Sequence, residues 1–148
     1  MIKKFTASNF EGLNKKQILV DEDFYAVLLK INEIAIKHNM QIIVTSSFRK
    51  DTNVKGAIVP PAKMSNHLIG QAIDFNLKHK ITGVYYNSIK LADDQGPDEL
   101  FLTEVVKTIP NLRWGDAFVV KDSVHIDMSL NLRNPIKWQE KYNEIHGV

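Results

Sequence analysis

Asp74 stands inside the most strand-like run of the chain, AIDFNL at residues 72–77. Ile73, Phe75 and Leu77 alternate there with Ala72, Asp74 and Asn76, so the apolar residues share one face and the acid projects from the other. A carboxylate placed in so apolar a strand needs a partner, because a buried charge without one is costly. His67 lies seven residues earlier, and Gly70 between them permits a sharp turn. Residues 124–130 alternate as well, with Val124, Ile126 and Met128 on one face and His125, Asp127 and Ser129 on the other. If these two strands are neighbours, Asp74 and His125 meet over one face of the sheet, and the loop carrying His67 reaches the same place.

A His/Asp/His set is enough to hold one catalytic zinc ion with a coordination position left open. The chain contains no cysteine. That excludes a disulfide framework, thiolate metal ligands and a cysteine nucleophile, and it leaves His, Asp and Glu as the possible metal ligands. Asp122 precedes His125 by three residues, an odd spacing that puts it off the face of His125. It belongs in the turn before the strand, beside a metal rather than under it. That place suits a general base that takes a proton from the attacking water and later delivers it to the leaving amine. Arg49, at the end of an early strand, can bind a substrate carboxylate or an oxyanion.

Each of these residues taken alone has a plainer explanation. A lone strand histidine is more often structural than a ligand, a lone strand aspartate can pair with an arginine, and DxxH occurs by chance. Arg49 can be an ordinary surface arginine. Asp127, on the face of His125, is as well explained by a solvated or arginine-paired role as by orienting a ligand. His38, His79 and His146 lack this context and are expected at the surface.

Around these motifs the pattern predicts mixed helices and strands, an α+β class. Phe24, Val27, Leu28, Ile31, Ile34 and Ala35 recur at helical spacing over residues 21–40, with Asp21, Glu22 and Asp23 at the start and Asn39 as a stop signal. Residues 41–45 form a buried strand and residues 81–89 a further strand or hairpin. A second helix covers residues 97–109, and a short strand is expected at residues 118–120. Asn134-Pro135 caps a last helix carrying Trp138, Tyr142 and Ile145. Residues 50–64, with Gly56, Pro60 and Pro61, read as a long loop, a length that usually serves function or motion.

The 148 residues suit one domain with one core. A net charge of +2 with dispersed lysines does not indicate a nucleic-acid binder. The N-terminal MIKKFTASNF has no apolar run after its lysines, so no secretory signal is expected. No run of about 18 apolar residues occurs, so no membrane-spanning helix is expected.

Together the motifs resemble the M15 family of zinc peptidases, which contains D-Ala-D-Ala carboxypeptidases and dipeptidases and the L-alanyl-D-glutamate endopeptidases found among phage endolysins. The family pattern SxHxxGxAxD reads here SNHLIGQAID, from Ser65 to Asp74, and DxxH reads DSVH, from Asp122 to His125. SSFR, from Ser46 to Arg49, is similar to the family's S-[GS]-[YF]-R segment, and Trp114-Gly115 matches a tryptophan segment ahead of the last histidine. The resemblance runs from about Gln41 to Ser129. It implies one zinc held by His67, Asp74 and His125, Asp122 as catalytic acid and base, Arg49 at the substrate, and Ser65 lining the cleft. It implies a small α+β domain of the Hedgehog/D-Ala-D-Ala peptidase type, with helices packed on an antiparallel sheet. The substrate would be a peptidoglycan peptide, reached from the cytoplasm by holin-type or other release, and the chain is expected to act as a monomer. Asp116 departs from the relatives, which often have a second glycine after Trp-Gly. Two readings compete with the enzyme: a catalytically silent zinc-containing binding module of this fold, and a metal-free hydrogen-bonded cluster.

Overall fold

The computed structural model describes residues 1–51 and 63–148. The expected loop over residues 50–64 therefore lies largely outside the described residues. The strands are β1 (Ile2–Phe5), β2 (Phe10–Gly12), β3 (Ile18–Asp21), β4 (Met40–Ser46), β5 (Ala72–His79), β6 (Tyr85–Tyr86), β7 (Arg113–Trp114) and β8 (His125–Asp127). The helices are α1 (Glu22–Lys37), α2 (Ser88–Leu91), α3 (Pro97–Thr108), α4 (Leu130–Arg133) and α5 (Pro135–His146). The α+β class is as expected. The sheet corrects one detail: it is mixed, not antiparallel throughout. In the order β2-β4-β5-β8-β7, with β6 beside β5, the β2–β4 pair is parallel and the other pairs are antiparallel. β1 and β3 form a separate antiparallel pair.

α1 forms where its apolar stripe demands it. Phe24, Leu28, Ile31, Ile34 and Ala35 are buried, and Val27 packs at the edge of the same core. The side chain of Asp21 caps the first turn by accepting from the Asp23 N–H, and Asn39, in the left-handed region at φ 56°, turns the chain into β4. The stripe meets Ile73, Phe75 and Leu77 of β5, Ile126 of β8, and Phe101, Leu102 and Val105 of α3 in one core. That core occupies one face of the sheet and leaves Asp74 and His125 on the other.

A second, smaller cluster serves the site. Leu68, Ile69, Leu130 and Trp138 pack together, with Met64, Tyr142 and Ile145 at the margin. It fastens α5 against the 3-10 turn Asn66–Ile69 that carries His67. As the sequence predicts, Asn134 caps α5 by accepting from the Lys137 N–H, with Pro135 in the first turn.

Asp21 ties this half of the molecule together. It is wholly buried, and it accepts bonds from Lys141 of α5 at 3.0 Å, from Gln71 at 3.2 Å and from the Met1 ammonium at 3.0 Å. Burial alone would raise its pKa, but the bonds from Lys141, the terminal ammonium and Gln71 outweigh it and lower the value below the usual 3.8. Its contribution is therefore fully present above about pH 3.8 and disappears as the pH falls through the lowered value. Asp21→Ala is expected to cost about 3–5 kcal/mol at neutral pH, the range for breaking one side of a buried pair. Urea unfolding measures it, and the gap between variant and parent should narrow in acid.

Three local expectations differ. Residues 118–120 are not a strand, and Val119 and Val120 are exposed. The edge strand forms instead at Arg113–Trp114, which pairs with β8. Residues 81–89 supply only the two-residue β6 and then enter α2, which Asn87 caps by accepting from Ile89 and Lys90. Of the three histidines expected at the surface, none is fully exposed. His146 stacks on Tyr142, and its Nε2 donates to the Leu68 carbonyl at 2.6 Å, so it braces the His67 turn.

Candidate metal centre

β5 and β8 are neighbours in antiparallel register, and Asp74 lies directly opposite His125. The strand adjacency assumed from sequence is therefore present. His67 arrives from the 3-10 turn before β5. Its return to the strand passes through Gly70 at φ 69°, where an added Cβ would collide with the Asp21 backbone nitrogen. The Gly70 carbonyl accepts from the Asp21 N–H at 2.9 Å, which locks the turn to β3. Ser65 caps the same turn, accepting from the His67 N–H at 3.2 Å, and is itself buried.

The three side chains converge. His67 Nε2 lies 3.3 Å and His125 Nδ1 3.1 Å from Asp74 Oδ1. One donor atom from each residue falls within 4.8 Å of the others, the arrangement of a group able to hold a metal ion. Hydrogen bonds on the far side of each ring decide which nitrogen is offered. His67 Nδ1 is 2.7 Å from the Ser47 carbonyl, which can only accept, so the proton sits on Nδ1 and Nε2 faces the centre. His125 Nε2 is 2.7 Å from Asp127 Oδ2, so Nε2 donates and Nδ1 faces the centre. Two imidazole nitrogens and a carboxylate oxygen, with no thiolate, are a donor set that suits zinc.

The charges are strongly coupled. Asp74 would be raised by burial, but the His125 and His67 rings beside it hold it well below the usual carboxylate range. For His125, burial alone would lower the pKa; its bonds to Asp127 and Asp74 push it up to about 9. A ring that ligates a metal is neutral, so a metal held here would compete with a proton for His125.

The SSFR segment forms the wall on the β4 side. Ser46 lies opposite Asp74 after a register shift in the β4–β5 ladder. Its Oγ accepts from Arg49 Nε at 2.9 Å, while Arg49 Nη2 donates to Asp74 Oδ2 at 2.6 Å. The Arg49 N–H also donates to the His67 carbonyl at 3.0 Å. Arg49 is thus brought to the site through Asp74.

Asp122 stands beside the cluster without being one of its hydrogen-bonded members. It is half-buried, and burial raises its pKa above the usual 3.8, with His125, Asp74, His67 and Arg49 all close enough to act on its charge. The segment Trp114–Asp116 holds it there. The Gly115 carbonyl accepts from the Asp122 N–H at 2.9 Å, Trp114 Nε1 donates to the Ser123 carbonyl at 2.7 Å, and Ser123 Oγ donates to Asp116 Oδ1 at 2.5 Å. A side chain at Gly115 would collide with the Asp122 carbonyl oxygen. This explains the tryptophan-glycine motif as a brace for the turn, and it gives Asp116 a place that sequence reasoning left open.

A family model described as D-alanyl-D-alanine carboxypeptidase matches residues 60–128, a little under half of the chain. The match supports an M15-family peptidase. It spans the His67–Asp74 motif, the Trp114 brace and the Asp122–His125 motif. No curated protein matches the chain significantly. Among the described residues one other acidic group, Asp94, Glu99 and Asp116, lies close together, but Lys121 already reaches Asp94 at 2.8 Å and Asp116 at 3.3 Å. Sequence reasoning missed the carbonyl of Ser47 and the role of Arg113. A carbonyl leaves no trace in residue type, and Arg113 belongs to a strand too short to show a period.

Proposed function

We propose that the chain is a zinc peptidase, a single M15-like domain over residues 1–148, that hydrolyses a peptide bond in the stem or cross-link of bacterial peptidoglycan. The observation that carries this reading is the convergence of His67, Asp74 and His125 with Asp122 poised beside them. A metal-free structural cluster has no need of a half-buried carboxylate with a raised pKa next to it. In this reading His67, Asp74 and His125 hold the ion. When bound, zinc supplies a Lewis acid that makes water a competent nucleophile at neutral pH. Asp122 takes the proton that water loses as it adds to the scissile carbonyl, and returns it to the amine that leaves. Arg49 offers its guanidinium to the carbonyl oxygen or to a substrate carboxylate. Ser65 borders the cleft, and its bond to the His67 amide makes its contribution one of shape.

The fold in this reading is of the Hedgehog/D-Ala-D-Ala peptidase type. Among the described residues no helix is long and apolar enough to cross a membrane. The site of action is the cell wall, reached by holin-type or other release, and the working form is a monomer. Metal analysis of tag-free protein should find about one zinc per chain, and mass spectrometry of digested peptidoglycan should reveal one new type of peptide terminus. That terminus identifies the bond and separates an endopeptidase from a carboxypeptidase. His67→Ala is expected to lose both zinc and cleavage. A His67→Ala protein that still cleaves and ignores chelators would overturn the assignment.

A further inference from the structure

Arg113 spends its guanidinium on a buried acid behind the metal centre. Its Nε donates to Asp127 Oδ1 at 2.9 Å and its Nη2 to Asp127 Oδ2 at 2.8 Å, a two-pronged pair between cross-strand neighbours of β7 and β8. Asp127 also accepts from the Ser129 N–H at 2.7 Å and from His125 Nε2 at 2.7 Å. Its side chain is 3% exposed, so water does not complete its bonding. A carboxylate so buried, with only His125 and one amide for company, would be poorly compensated. Arg113 supplies the remaining two donors.

The same guanidinium is built into the frame of both histidines. Its carbon lies 4.7 Å from the centroid of the Phe118 ring, and Phe118 in turn lies against His125. Arg113 Nη2 also reaches Asn131 Oδ1 at 3.5 Å. Asn131 exchanges two bonds with Asn66, at 3.0 and 3.1 Å, and Asn66 is the neighbour of His67. Lysine cannot reproduce this place, because its point charge lacks the planar fork that grips both carboxylate oxygens.

We propose that Arg113 is a positioning residue: acting through Asp127, it holds the His125 ring with Nε2–H turned away from the centre and Nδ1 turned toward Asp74. The proposal rests on the zinc reading for its consequence, metal affinity, but not for its geometry. Remove Arg113 and Asp127 loses two of its four donors. The carboxylate is then free to shift, and the ring is no longer confined to one orientation.

The experiment compares the parent with Arg113→Ala, Arg113→Lys and Asp127→Asn. Zinc affinity is measured by competition with a coloured chelator. The His125 ring ¹⁵N signals are recorded on metal-free protein over a pH series that carries the ring to its neutral form, and a thermal melt checks each fold. Arg113→Ala is expected to weaken zinc about 10- to 100-fold, the usual effect of losing an outer-sphere partner. Its His125 signals should move from the Nε2–H form toward a mixture of tautomers. Arg113→Lys should recover the melting temperature more fully than the zinc affinity. If Arg113→Ala does not fold, Arg113→Lys and Asp127→Asn are judged by the same two readouts. Folded variants that keep zinc affinity within about twofold and leave the His125 signals unmoved overturn the proposal. If the parent binds no zinc, the peptidase reading fails, while the ring signals still decide whether Arg113 orients His125.

Discussion

Asp122→Ala is expected to retain zinc and to lose turnover by about 10²–10⁴-fold, the range for removing a positioned general acid or base. The two halves of that result come from different parts of the structure. Zinc is retained because Asp122 lies outside the donor set, which His67, Asp74 and His125 complete without it. The turn also survives, because its backbone is held from outside by the Gly115 carbonyl, Trp114 Nε1 and Asp116. Turnover falls because, among the described residues, no other acid beside the centre is free to take over the proton. Asp127 is saturated by Arg113, Ser129 and His125, and Asp74 faces the two imidazoles and Arg49. Steady-state kinetics on a muropeptide, with metal content measured on the same sample, separates the two halves. Near-normal turnover would remove Asp122 from its role. Loss of zinc along with turnover would place Asp122 among the ligands or their supports.

The site was more legible in the sequence than the fold around it, for a physical reason. Asp74 and His125 take polar positions in alternating strands, with His67 and Asp122 in the segments just before them, and charged groups set so close to apolar faces cost energy unless chemistry or pairing compensates. Periodicity likewise exposes α1, β5 and α3, which bury continuous stripes. The failures lie where stability comes from partners remote in sequence. Val119 and Val120 have the branched side chains of a strand but nothing to pair with, so they stay exposed. Arg113 and Trp114 show no alternation, yet they pair with β8, where Arg113 meets Asp127 and Trp114 meets Ile126. β2 runs parallel to β4, and the register that places Phe10 beside Ile42 is invisible in a three-residue segment. His146 looks like a tail residue until α5 folds back and brings it to the Leu68 carbonyl.

Asp74→Ala is expected to abolish both metal binding and peptidase activity, and in addition to weaken the metal-free fold. Asp74 is the only anion of the proposed ligand set, so its loss leaves two neutral donors, too few to fix a catalytic ion. Activity should then fall to background, forfeiting the acceleration of about 10⁶-fold or more that enzymes generally supply. The structural cost arises from the same carboxylate. Oδ2 holds Arg49 at 2.6 Å while Oδ1 faces both imidazoles, so alanine removes the carboxylate that joins the guanidinium to the two rings. Arg49 and Asp74 keep 16% and 20% side-chain exposure. The cost should therefore lie at or below the lower end of the about 3–5 kcal/mol typical of fully buried pairs. Unfolding with and without zinc distinguishes the two effects. The parent should gain about 2.7 kcal/mol at a free zinc concentration 100 times its Kd, by mass action alone. The variant should start lower and gain nothing. A variant as stable as the parent without zinc would show that Arg49 does not depend on Asp74, and one that still gained from zinc would show that the histidines find their third ligand elsewhere.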